Sequence, residues 1–176
     1  MKRLLMLLIL TCFLSQSAWA GLVIGEAPEI IVLDGKLGGR VDGTSWSSEE
    51  MKGKVHVFFY VDPDEADLNN ETSEALDKAK YPKEKFQSIA VINMAATWLP
   101  NFAISSSLKE KQEQYPDTIY VRDYKKVIVK KWGISDDNSD ILAFDKKGKL
   151  IFWKDGKLGP EDTEKLIKAI RDHLDK

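Results

Sequence analysis

The chain is almost without cysteine. It has one, Cys12, in 176 residues, and that one lies in a segment that reads as an export leader. Histidine is nearly as scarce, with only His56 and His173. There is no HExxH, no G-x-S-x-G and no P-loop pattern, so the common metalloprotease, serine-hydrolase and nucleotide-binding signatures are missing. There is no basic excess either: 26 Lys and Arg stand against 28 Asp and Glu, which argues against nucleic acid as a partner. Beyond the first twenty residues no apolar run is long enough to cross a bilayer.

What is present begins with the leader. Lys2 and Arg3 form a short positive start, Leu4–Leu14 an apolar stretch too short to span a membrane, and Ala18-Trp19-Ala20 an A-x-A cleavage site. Thr11 is a poor residue before a lipidated cysteine, which disfavours a lipoprotein. Cleavage between Ala20 and Gly21 makes residues 1–20 a secretory signal and 21–176 one mature domain, expected in the periplasm. Removing the leader takes away two basic residues and no acidic one, leaving a net charge of −4 with His neutral. The mature chain then has no thiol. Asn70-Glu71-Thr72 fits a glycosylation sequon, a weak signal by itself.

Periodicity divides the rest. Glu29–Leu33 reads as a short strand, and the glycine-rich stretch Asp34–Gly43 as turns. Trp46–Lys52 suits one helical turn. Val55–Val61 is unbroken apolar sequence, as in a central strand covered on both faces, and stops at Asp62-Pro63. Ala66–Ala79 is amphipathic, with Leu68, Thr72, Ala75, Leu76 and Ala79 near one face. Phe86–Met94 is a second strand, Pro100–Gln114 a helix, and Thr118–Val121 a third strand. Val127–Trp132 is a short helix closed by Gly133. Ile141–Phe144 and Leu150–Trp153 flank the turn Asp145-Lys146-Lys147-Gly148, where Gly148 can supply a positive φ. A last helix from Pro160 buries Leu166, Ile167, Ile170 and Leu174. A βαβ half followed by a ββα half is an α/β, thioredoxin-like plan.

With the elements placed, Gly53-Lys54 before a strand, and Gly133-Ile134 followed by Ile141 to Lys149, resemble the peroxiredoxin and thiol-reductase type of thioredoxin-like protein. Further fragments resemble the YtfJ-type family of bacterial secreted proteins: Gly53-Lys54-Val55, Ser106-Ser107-Leu108 with Tyr115-Pro116, Leu142–Asp145 with Gly148, and Lys154-Asp155-Gly156 with Leu158. That resemblance spans most of the mature chain and implies a periplasmic thioredoxin-like protein. It carries no biochemical activity to transfer.

Thioredoxin-like enzymes attack with a thiolate placed after the central strand, at the start of the next helix. Here that place holds Asp62-Pro63-Asp64-Glu65-Ala66-Asp67, and a carboxylate has no disulfide state. The cis-proline of the thiol reductases would fall near Asn138 or Ser139, and no proline is there. Thiol–disulfide oxidoreductase and peroxiredoxin activities are thereby excluded for the mature chain, and no catalytic set is expected. His56, in a strand, and His173, on a terminal helix, read as structural or solvated. Ser105, Ser106 and Ser107 most simply line their helix.

Two groups remain as candidate sites. Asp62, Asp64, Glu65 and Asp67 follow the central strand, while Asp136, Asp137, Asn138 and Asp140 precede the late one. The fold makes these loops neighbours at the edge where open α/β sheets bind ligands. Their oxygens would suit a hard cation such as Ca2+, or they simply cap a helix and face water. Trp98 and Phe102 lie in the loop and helix start beside the same edge. General burial tendencies place them in the core; exposed, they would form a patch for a partner. The expectation is a binding or accessory module for an envelope protein or small ligand, with a divalent-cation protein as the alternative.

Overall fold

A computed structural model describes residues 21–175; the segment expected to be a leader, with Cys12 and the expected cleavage residues Ala18 and Ala20, lies outside the described residues. The strands are β1 (Val32–Leu33), β2 (Gly38–Arg40), β3 (Trp46–Ser47), β4 (Val55–Val61), β5 (Phe86–Asn93), β6 (Thr118–Asp123), β7 (Ser139–Phe144) and β8 (Leu150–Asp155). The helices are α1 (Asn70–Ala79), α2 (Asn101–Gln114), α3 (Val127–Trp132) and α4 (Pro160–Leu174), with 3-10 turns at Ser48–Met51 and Pro63–Glu65. Six strands form one sheet in the order β2-β6-β5-β4-β7-β8, and β1 pairs with β3 separately. β4, β5 and β6 run parallel; β7, β8 and β2 run antiparallel to their neighbours.

Strand β4 has the bounds and the central place that its apolar run implies. On one face Phe58 meets Trp46, Trp132 and Phe144, with ring centroids 5.4–6.2 Å apart. α3, the β1–β3 pair and the residue just before β1 cover this face through Ile128, Leu33 and Ile31. Val55 and Val57 face the other way, toward α1 and α4, where Leu76, Leu166, Ile170 and Leu174 are buried. α2 covers the same side farther along, through Ile104 and Leu108. The hairpin between β7 and β8 turns as its sequence requires: Gly148 has φ 75°, and the Asp145 carboxylate accepts from Lys147 N and Lys149 N at 2.8 and 2.9 Å.

Three assignments need correction. The glycine-rich stretch Asp34–Gly43 is not all turn, because Gly38–Arg40 pairs antiparallel with Val121–Asp123 as an edge strand. Only Val32 and Leu33 of the Glu29–Leu33 segment are strand. The first long helix starts at Asn70 rather than Ala66. Pro63 opens a separate 3-10 turn, capped by the Asp62 carboxylate on Asp64 N, and this turn occupies the residues that periodicity alone joins to the helix.

Candidate functional site

The carboxyl ends of β4, β5 and β6 and the amino end of β7 meet at one edge of the sheet. Both acidic loops are there, as expected: Asp62 N donates to Asn138 O at 2.9 Å. Asp64, Glu65, Asp67, Asp136 and Asp137 are exposed, Asn138 is half-buried, and Asp62 and Asp140 are buried.

Their oxygens are directed to separate tasks. Asp62 caps the 3-10 turn through Asp64 N at 2.9 Å. Burial pushes its carboxyl up, and the charges of Asp64, Asp137 and Glu65 add to that, against the opposing hydrogen bond from Asp64 N. Asp64 accepts from Thr97 Oγ1 at 3.1 Å, and Asp67 from Asn70 Nδ2 at 2.9 Å. Asp136 accepts from Asn93 Nδ2 at 2.9 Å and Lys126 Nζ at 2.7 Å. Partial burial would raise Asp136, but these two hydrogen bonds and the Lys126 charge outweigh it and hold the carboxyl low. Asp137 sits at φ 54°, 3.5 Å from Lys126 Nζ. Asn138 Nδ2 donates to Asp155 at 2.7 Å. Among the described residues no group of three or more His, Cys, Asp or Glu side chains is arranged to hold a metal ion.

Asp140 differs from the exposed acids. It is fully buried opposite Tyr60 and accepts from Trp153 Nε1 at 3.0 Å, while its second oxygen has no partner. Burial pushes its carboxyl up to about 6, and the nearby Asp155 charge adds to the shift. His56, early in β4, is also buried; its Nδ1 lies 3.0 Å from Lys54 O, and burial pushes the ring down to about 4. His56 is thus a neutral structural histidine.

The aromatics overturn the burial expectation. Trp98 is 86% exposed and Phe102 79%. Leu99, between them, is half-buried and packs against the Ile92–Leu108 cluster. Thr97 fixes the loop, accepting from Leu99 N at 3.2 Å and donating to Asp64. One apolar residue anchors the segment, and the two aromatics on either side are left in solvent. α2 buries only Ile104 and Leu108, and the residues of its first turn before Ile104 are exposed.

Sequence reasoning missed the two polar pairs that hold this edge, Asp123 with Tyr60 and Asn69 with Ser139. Asp123, fully buried, accepts from Tyr60 Oη at 3.2 Å and from the backbone N–H groups of Lys125, Val127 and Ile128 at 3.0 Å. It therefore supplies the cap that α3 lacks at its own amino end. Burial and the Asp123 charge raise the Tyr60 phenol, keeping it a donor. Asn69 donates to Ser139 Oγ at 3.0 Å and Gly156 O at 3.1 Å and accepts from Leu158 N at 2.9 Å. It joins the start of α1 to β7 and to the loop after β8. Asn69→Ala strands two buried groups and one half-buried group at once and is expected to cost about 3 kcal/mol of unfolding free energy, read by urea denaturation; a loss under about 0.5 kcal/mol would show the network to be dispensable. Only Asp123 had a local sign, an Asp just before a helix; the partners of Asn69 lie 70 to 89 residues away.

A central sheet with this strand order, helices on both faces and the loops at its carboxyl edge define a thioredoxin-like protein, here with Asp62-Pro63 after the central strand and no cysteine from residue 21 onward. No described peptide bond is cis. A putative thiol:disulfide interchange protein DsbE from Chlorobium tepidum has the same fold, with a TM-score of 0.61 at 20% identity, covering 88% of this chain and 99% of that one. The chain belongs to the family described as bacterial protein of unknown function, YtfJ_HI0045, whose sequence model matches residues 16–173. An uncharacterized protein of Haemophilus influenzae Rd is 28% identical over 184 residues, covering 97% of each chain. The Escherichia coli K12 protein YtfJ, likewise described as uncharacterized, is 25% identical over 131 residues, 72% of this chain and 71% of its own.

Proposed function

We propose that this protein is a periplasmic binding or accessory module, exported by its leader and working without thiol chemistry. It recognises another envelope protein or a small ligand at the edge built from Asp62–Asp67, Trp98 and Asp136–Asp140. The observation that carries this reading is the exposure of Trp98 and Phe102, four residues apart, on either side of a half-buried anchor, Leu99. Two large aromatics held in water, one on a loop and one in the first turn of a helix, are costly unless something covers them, and such residues dominate protein-binding surfaces. Among the described residues no helix is long and apolar enough to cross a membrane.

The test is photo-crosslinking in cells from p-benzoylphenylalanine placed at position 101, between the aromatics. Wild type is expected to give a discrete adduct. The double variant Trp98→Ala, Phe102→Ala should lose it while its melting temperature stays within about 2 °C, because exposed side chains contribute little to the core. Absence of any adduct, or an adduct that survives the double variant, would end this reading. The mature protein should also begin at Gly21, fractionate with the periplasm, and give the same adduct after treatment with iodoacetamide.

A further inference from the structure

We infer that the occupant of this edge is a cationic segment of a partner protein, one carrying Lys or Arg beside apolar side chains. The inference rests on the binding-module reading above and adds the chemistry of the partner. Three carboxylates, Asp64, Glu65 and Asp67, stand exposed in the loop tied to the aromatic segment. None of them is in an ion pair with a described residue. Lys126, a cation beside this edge, is engaged by Asp136 at 2.7 Å and Asp137 at 3.5 Å on the other loop. Thr97 donates a hydrogen bond to Asp64 at 3.1 Å and precedes Trp98 in the chain, so the segment that carries the exposed indole is tied to the acidic loop.

That combination selects among occupants. The face of an exposed indole attracts a guanidinium or ammonium group, and adjacent carboxylates reinforce the attraction. Phe102 offers apolar area for the side chains next to the cation. An acidic segment, a nucleic acid or an anionic lipid surface would meet three uncompensated negative charges and be repelled. The acids steer and select, and the aromatics hold.

The probes are two blocked nonapeptides, one alternating Arg and Leu and the other Glu and Leu, and vesicles rich in phosphatidylglycerol. Each is titrated into the purified full-length mature protein and followed at the Trp98 indole N–H by NMR. The Arg/Leu peptide is expected to shift that resonance saturably and to bind about tenfold more weakly between low and physiological salt, as the charges are screened. Neutralising the loop with the triple variant D64N/E65Q/D67N, which keeps an acceptor for Thr97, should weaken it by about tenfold or more. Removing the indole with Trp98→Ala should abolish the interaction at the edge.

Equal binding of the Glu/Leu peptide, unchanged binding by the triple variant, or vesicle binding through Trp98 would overturn the cationic partner. So would silence at Trp98 with all three probes. In each of these cases a persisting crosslink from position 101 leaves the binding module standing with a different partner, and loss of that crosslink removes both.

Discussion

Gly38→Ala is expected to cost about 3–5 kcal/mol and to detach β2 from the sheet. Gly38 has φ 147°, which side-chain-bearing residues rarely adopt. A methyl group there would overlap the Arg122 carbonyl oxygen and stand 2.9 Å from its carbon and 3.3 Å from Asp123 Cα. These are backbone atoms of the paired strand and have no rotamer to relieve the clash. The neighbouring pairs Gly39↔Arg122 and Arg40↔Val121 would have to part. The damage does not stop at the edge, because Asp123 holds Tyr60 and the start of α3. Gly43→Ala is the control: φ is 92° but nothing lies within 4 Å of the added carbon, so only backbone strain of about 1 kcal/mol is expected. Urea midpoints for the two variants, with amide exchange at Arg122, read the difference. If both cost the same, the clash plays no part.

This strand also marks where the sequence stops being informative. Glycines in a row signal turns locally, and the pairing of Gly38–Arg40 is set by a strand some eighty residues later. Nothing short-range encodes it. β4 and α3, by contrast, are legible to the residue: one is a continuous apolar run needing cover on both faces, the other ends at Gly133, whose φ of 68° closes the helix. The proximity of the two acidic loops followed from topology, since any chain with this strand order brings them together. Which carboxylate caps, which pairs and which is buried did not follow, because that depends on Lys126, Asn93, Trp153 and Thr97, all on other elements. Trp98 and Phe102 defeated the burial expectation for a related reason. Composition says aromatics are mostly inside, but in this segment the buried places are taken by Leu99, Ile104 and Leu108, and nothing local in the sequence tells them from Trp98 and Phe102.

The site that results is built in two layers. Buried polar residues, Asp123 with Tyr60 and Asn69 with Ser139, fix where the strands end. Exposed groups, the Asp64 loop and Trp98, are carried on that frame and linked to each other through Thr97. Changes in the first layer should lower stability, and changes in the second should alter what binds, so stability and binding can be separated experimentally at this edge.

The frame carries two opposed titrations, and stability between pH 4 and 6 is expected to be nearly flat because they cancel. Asp140 is raised from 3.8 to about 6 by burial. In that interval the folded protein keeps a proton that the unfolded chain has released, so stability falls as pH rises. His56 is lowered from 6.5 to about 4, again by burial. Between those values the unfolded chain holds a proton that the folded protein does not, so stability climbs as pH rises. Each shift is worth about 3 kcal/mol at 1.36 kcal/mol per pH unit, and the signs are opposite. Asp62, raised by burial, adds to the Asp140 limb. Asp42, Asp162 and Asp175 are held low by hydrogen bonds from Thr44, Lys154 and Lys85, so their loss falls below about pH 4, outside the window. Asp140→Asn removes one limb and keeps an acceptor for Trp153. Its stability should rise by about 2 kcal/mol from pH 4.5 to 6, and at pH 7.5 it should exceed wild type by about 1–2 kcal/mol because no ionised carboxylate remains buried there. His56→Leu removes the other limb and should show the opposite slope whatever its absolute level. Urea unfolding across this range reads both slopes, and an Asp140→Asn profile as flat as wild type would mean that the carboxyl titrates at its ordinary value.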